Sequence, residues 1–259
     1  MNGDSLHETG LYKHPLVEQA MRWLVENGPL VDEPELPYWI LRQLVAQQRV
    51  LRLRRGLYLV PHAGGKLPSF PSLVGLLSHE GHLSFYAALI LHGLTDQDTR
   101  TWVVVTSKRQ SPINYGPRQM RFFASPRGER AHTTVADVHG TKVRVATGEQ
   151  AFIDTLAFPH HGPDFSEMLH ILRAGLITWR LSNDCLRDLA IQEDSPALAR
   201  RLGLLIELAT NHVDEELLRL AHRTHDRTQA WPGEVKATDD RWRISLPASR
   251  ELIAYGARL

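Results

Sequence analysis

Apolar residues recur at three-and-four spacing from His14 to Asn27. Val17, Ala20, Met21 and Leu24 make one stripe, Pro15 opens the helix and Gly28-Pro29 stops it. A second stripe, Ile40, Leu41, Leu44 and Val45, begins just after Pro37, a residue suited to a first helical turn. The opposite face of that helix carries Trp39, Arg42, Gln43, Ala46 and Gln47. From Val50 the period falls to two. Leu51 and Leu53 alternate with Arg52 and Arg54, Arg54-Arg55-Gly56 predicts a turn, and Leu57 to Val60 predicts a return strand. Between the two helices, Leu30 to Leu36 has room only for a short helix, acidic and broken by Pro34. Helix, short helix, helix and an arginine-tipped hairpin together predict a winged helix-turn-helix, with one helix in the major groove and the wing beside it.

Beyond Pro61 the segment His62 to Pro71 is rich in Gly and Pro and reads as a linker, and a helix begins at Ser72. Leu83 to Leu94 predicts a helix with Ser84 as N-cap and Gly93 as stop. Trp102 to Thr106 predicts a buried strand, with further strands at Met120–Ala124, Thr133–Asp137 and Thr141–Ala146 and a turn at His139-Gly140. Glu149 to Phe158 returns to helix. Helices then dominate: Phe165–Ala174, Asn183–Gln192, Pro196–Thr210 and Asp214–Thr224, before a late pair of strands at 234–238 and 241–246. The expected fold is α+β: an N-terminal winged helix-turn-helix over 1–62, a linker and connecting helix over 63–78, and a larger mixed α+β domain over 79–259 with helices concentrated toward the C-terminus.

Charge changes this picture more than composition does. The whole chain of 259 residues is +1, yet no Asp or Glu occurs between Leu36 and His79, where Arg42, Arg49, Arg52, Arg54, Arg55 and Lys66 lie. That local surplus is what contacts to phosphate require. A second basic stretch holds Lys108, Arg109, Arg118, Arg121, Arg127 and Arg130, opposed by Glu129 alone. It reads as a solvated loop region or as a secondary nucleic-acid contact. The single cysteine, Cys185, excludes a disulfide framework and favours a reducing compartment. No stretch approaches the about 20 apolar residues of a membrane span and the start of the chain carries no leader pattern, so the expected setting is cytoplasmic, away from membranes.

Catalytic patterns are weak. His79-Glu80-Gly81-His82 has its histidines three apart rather than the four a zincin needs. His160-His161, His222 and His225 are scattered among loops. Asp154 suits a structural ion pair, with Arg173 or another base, and Cys185, with no histidine beside it, suits a small buried hydrophobe. No catalytic set, metal site or cofactor is expected. The residues expected to read base edges are Trp39, Arg42, Gln43 and Gln47, because Arg suits guanine and Gln suits adenine. Arg49, Arg52, Arg54 and Arg55 would meet phosphate or the minor groove. The alternatives are a metal-dependent nucleic-acid enzyme using Glu149, Asp154 or Asp164, and a protein-binding adaptor.

Four segments, in order, carry a family likeness: Val50-Leu-Arg-Leu-Arg-Arg-Gly-Leu-Tyr-Leu-Val-Pro61; Leu83 to Leu94 with Thr95-Asp-Gln97; Thr147 to Leu156 before a proline; and Arg200-Arg-Leu-Gly-Leu-Leu-Ile-Glu-Leu208. Together the pattern resembles the AbiEi-type antitoxins of bacterial type IV toxin–antitoxin (abortive infection) systems. It departs from them at Gln150-Ala151, where an Arg-Thr pair is usual. The resemblance implies a winged-helix domain that represses its own operon at inverted-repeat, double-stranded DNA. It also implies a C-terminal domain that counters a nucleotidyltransferase-like toxin, and no catalysis by the chain itself.

Overall fold

The computed structural model describes residues 14–32, 34–61, 67–78, 81–125, 130–138 and 140–255. The fold class is α+β, and the chain divides into two compact units, Met1–Ser69 and Phe70–Leu259. The residues before His14, half of the expected linker (62–66), His79, Glu80, Arg127 and the expected turn residue His139 lie outside the described residues.

In the first unit, α1 (Pro15–Asn27) and α2 (Tyr38–Ala46) pack together, and β1 (Leu30–Asp32), β2 (Leu51–Arg52) and β3 (Leu57–Leu59) form a sheet of order β1-β3-β2. Val17, Leu24, Val31, Ile40, Leu44 and Tyr58 are among the residues of the shared core. The apolar stripes of both helices therefore face inward as their spacing requires. The short helix expected over Leu30 to Leu36 is not there. Leu30, Val31 and Asp32 pair antiparallel with Leu59, Tyr58 and Leu57 instead. The reason is local and tertiary at once. Pro34 and Pro37 remove two backbone donors that a helix would need, while β3 offers partners for an extended chain. The hairpin β2–β3 is as expected, with Gly56 at φ 81° in its turn.

The second unit is built on a mixed sheet of order β6-β7-β5-β4-β9-β8: β4 (Gly81–Ser84), β5 (Thr101–Thr106), β6 (Ile113–Tyr115), β7 (Arg118–Ala124), β8 (Thr133–Val138) and β9 (Thr141–Ala146). Strand β4 is buried throughout, as is β5 after its first residue, so both faces of the sheet centre are covered. Helices α3 (Phe70–Leu77), α4 (Phe85–Leu91) and α5 (Gly148–Ala157) pack on the sheet, α3 against β9 with Ser72 and Thr141 hydroxyls 2.8 Å apart. Then follow α6 (Phe165–Ile177), α7 (Asn183–Gln192), α8 (Pro196–Thr210) and α9 (Glu215–Ala221). A small sheet of β10 (Thr228–Gln229), β12 (Ile244–Leu246) and β11 (Ala237–Asp239) and a last helix α10 (Arg250–Tyr255) end the fold. Arg200 of α8 is fully buried. It donates to the carbonyls of Ala221 and Thr224 and to the hydroxyls of Thr224 and Thr228, tying α8 to the chain that follows α9.

Candidate nucleic-acid interface

Helix α2 presents Trp39, Arg42, Gln43 and Ala46 at positions i, i+3, i+4 and i+7, one face away from its buried stripe of Ile40, Leu41 and Leu44. Trp39 is 47% exposed and makes a T-shaped contact with the His14 ring at a centroid distance of 5.4 Å. Arg42 is exposed, Gln43 half-buried, and Gln47 caps the helix C-terminus through its backbone N–H to the Gln43 carbonyl 2.9 Å away. In the hairpin, Arg52 and Arg55 are exposed. Arg42, Arg52 and Arg55 make no ion pair among the described residues.

Two of the eight expected contacts are differently placed. Arg49 forks onto Glu18 of α1, Nη1 to Oε1 at 2.7 Å and Nη2 to Oε2 at 3.0 Å, so its charge is spent fixing the entry to the hairpin against α1. Arg54 is half-buried and has a partner of its own, leaving the outer edge of the turn to Arg55. One feature escapes the sequence reading. Tyr38, 66% exposed, lines a shallow cleft of about 80 Å³ with Leu41, Arg42, Val45, Arg52 and Tyr58. Arg42 and Arg52, from helix and wing, thus share the rim of one depression. The signal was the spacing Tyr38, Leu41, Arg42, Val45 along one side of the helix.

The second basic stretch does not form a uniform patch. Lys108 and Arg109 are exposed after β5. Arg118 is bidentate to Asp98 at 3.1 and 3.2 Å, donates to the Thr99 carbonyl, and stands 5.9 Å over the Phe70 ring. Arg121 is exposed and donates to Gln119 Oε1 at 2.6 Å.

The carboxylates of the enzyme alternative have structural partners. Asp154 accepts from Ser84 Oγ at 2.5 Å and Gln150 Nε2 at 2.9 Å. Arg173, one of the bases considered as its partner, instead donates to the carbonyls of Leu208 and Ala254. Asp164 caps α6 by accepting from the Glu167 N–H, and Glu149 accepts from the Ser182 N–H. Ser84 occupies the N-cap position of α4, but its hydroxyl goes to Asp154 and not to the helix. Cys185 is exposed, contrary to the buried role expected of it: it falls on the outer side of α7, whose buried stripe is Leu186, Leu189 and Ala190. No group of three or more His, Cys, Asp or Glu is placed to hold a metal among the described residues. His82 is fully buried, its pKa lowered to about 4 by burial and by the nearby Arg144 charge. His222 instead uses its Nε2 on the Arg241 carbonyl.

No helix is long and apolar enough to cross a membrane among the described residues. No protein-family model matches the chain, and no curated protein matches it. Among solved structures, the chain is similar to the crystal structure of the RV2827C protein from Mycobacterium tuberculosis. The identity is 11%, the TM-score 0.57, and the match covers 90% of each chain, a likeness of fold.

Proposed function

We propose that the chain is a sequence-specific DNA-binding regulator that reads duplex DNA through α2 and the β2–β3 hairpin. The observation that carries this reading is the placement of Arg42, Arg52 and Arg55. They are exposed on a helix and a hairpin whose segment holds no acidic residue, and they make no ion pair among the described residues. Free guanidinium groups on adjacent elements are the arrangement that phosphate and guanine contacts need. Trp39 and Gln43 share the Arg42 face and supply an apolar contact and an amide. The likeness to AbiEi-type antitoxins supports the further reading of an autorepressor that binds an inverted repeat and counters a nucleotidyltransferase-like toxin.

The test is a gel-shift titration against the DNA upstream of the protein's own reading frame. Arg42→Ala is expected to cost about 1–3 kcal/mol on the preferred duplex and to relax discrimination at one position. Arg52→Ala is expected to weaken every duplex alike and lower the salt slope by about one. Retention of wild-type titration curves by both variants would refute the assignment.

A further inference from the structure

The cleft between α2 and the hairpin has two kinds of lining. Leu41 and Tyr58 are buried and Val45 is half-buried, which makes the floor apolar, whereas Tyr38, Arg42 and Arg52 stand exposed at the edge. Tyr38 and Arg42 lie one helical turn apart on α2, and Arg52 is paired with Tyr58 across β2 and β3. Helix and wing therefore each supply one guanidinium and one tyrosine ring. At about 80 Å³ the cleft is far below the roughly 300 Å³ at which pockets for whole small molecules begin. It has room for a substituent.

The charge of this segment, which carries no Asp or Glu from Leu36 to His79, is complementary to a duplex. Of the groups a duplex offers, phosphate belongs with the guanidinium groups at the rim, because burying its charge against an apolar floor is costly. The polar edges of guanine and adenine need donors and acceptors that the side chains of Leu41 and Val45 lack. A methyl group needs only apolar surface, and thymine presents one in the major groove.

Resting on the DNA-binding reading above, we infer that this cleft is a specificity site for the 5-methyl group of a pyrimidine. The methyl enters over Leu41 and Val45, with the exposed Tyr38 ring as its outer wall. Arg42 takes the guanine of a neighbouring base pair, and Arg52 takes the backbone phosphate. The preferred duplex therefore carries a 5-methylated pyrimidine next to a guanine. Thymine and 5-methylcytosine bear that methyl at the same ring position, and each is a source of the same chemistry.

The test begins with duplexes that the full chain enriches from a random-sequence pool. The enriched duplex is made with thymine, with uracil in place of every thymine, and with 5-methylcytosine in place of every cytosine, and gel-shift affinities are compared at one salt concentration. A loss of about fourfold with uracil identifies thymine as the source, and a gain of about fourfold with 5-methylcytosine identifies the methylated base, this being the effect of taking one methyl group out of water. Tyr38→Ala removes the wall and is expected to bind the forms alike, while Tyr38→Phe keeps the ring and the wild-type ratio. Equal wild-type affinities for all the forms would overturn the methyl site and leave DNA binding standing. A methyl effect that persists in full in Tyr38→Ala also overturns it, since the methyl is then read elsewhere. Failure of the chain to enrich any duplex removes the DNA-binding reading and this inference with it.

Discussion

His82 sits in the buried strand β4, its Nε2 without a hydrogen-bond partner among the described residues, in a sheet centre covered on both sides. Burial and the Arg144 charge both favour the neutral ring, so its folded pKa of about 4 lies below the ordinary 6.5. The sign follows from linkage. The unfolded chain takes up the proton first, so the stability due to neutral His82 is complete above pH 6.5 and drains away as pH falls toward 4. The full loss amounts to at most about 3 kcal/mol. His82→Leu removes the unpaired nitrogen and the titration together. It is expected to leave stability near wild type at pH 7 and to flatten the fall between pH 6.5 and 4 in urea-unfolding midpoints. A slope in that window unchanged by the substitution would place the titrating group elsewhere, for instance at His161, whose pKa burial also lowers.

Helix α8 illustrates how an element's sequence can mislead about its own stability. Gly203 lies in mid-helix, where alanine ordinarily gains about 1 kcal/mol. Here the Trp242 ring, fully buried, occupies the space that a Cβ at Gly203 would enter. Trp242 cannot easily withdraw, because its Nε1 donates to the buried carboxylate of Glu207 at 2.6 Å, which Arg250 also holds at 2.6 Å. Gly203→Ala is therefore expected to destabilise, by about 1–3 kcal/mol, in thermal melts. A rise in melting temperature would show that the ring can move. The limits of α7 and α8 are legible in the sequence, as Ser182 and Ser195 cap helices with clear apolar stripes. Strands β1, β4 and β6 are not. Each is three or four residues long; β1 and β4 are stabilised by partners distant in sequence, as Leu30 is by Leu59 and Leu83 by Val104 and Val145, while β6 is held by its short hairpin with β7. The same limit applies to the candidate interface. Helical spacing exposes the Trp39–Arg42–Gln43 face, but nothing near Arg49 or Arg118 announces Glu18 or Asp98, which lie 31 and 20 residues away.

At the scale of the molecule, a net charge of +1 conceals segregation: the seven acidic residues of the first unit all precede Leu36, and the arginines of α2 and the hairpin all follow it. The second unit has its own exposed pair, Lys108 and Arg109, while Arg118 is neutralised by Asp98. Counterion release separates a primary from an incidental surface, because each phosphate contact contributes about 0.9 to the slope of log affinity against log salt on B-DNA. If α2 and the wing hold the duplex, Arg52→Ala/Arg55→Ala should lower the slope by about two, and Lys108→Ala/Arg109→Ala should leave it unchanged. A lowering by both pairs would make the second basic stretch part of the footprint. A lowering by the Lys108/Arg109 pair alone would move the duplex to the larger unit and leave the exposed guanidinium groups of the hairpin as a solvated edge that keeps its strands from pairing with other chains. Measuring these slopes on the full chain, between about 50 and 200 mM salt, makes the outcome independent of which operator sequence is preferred.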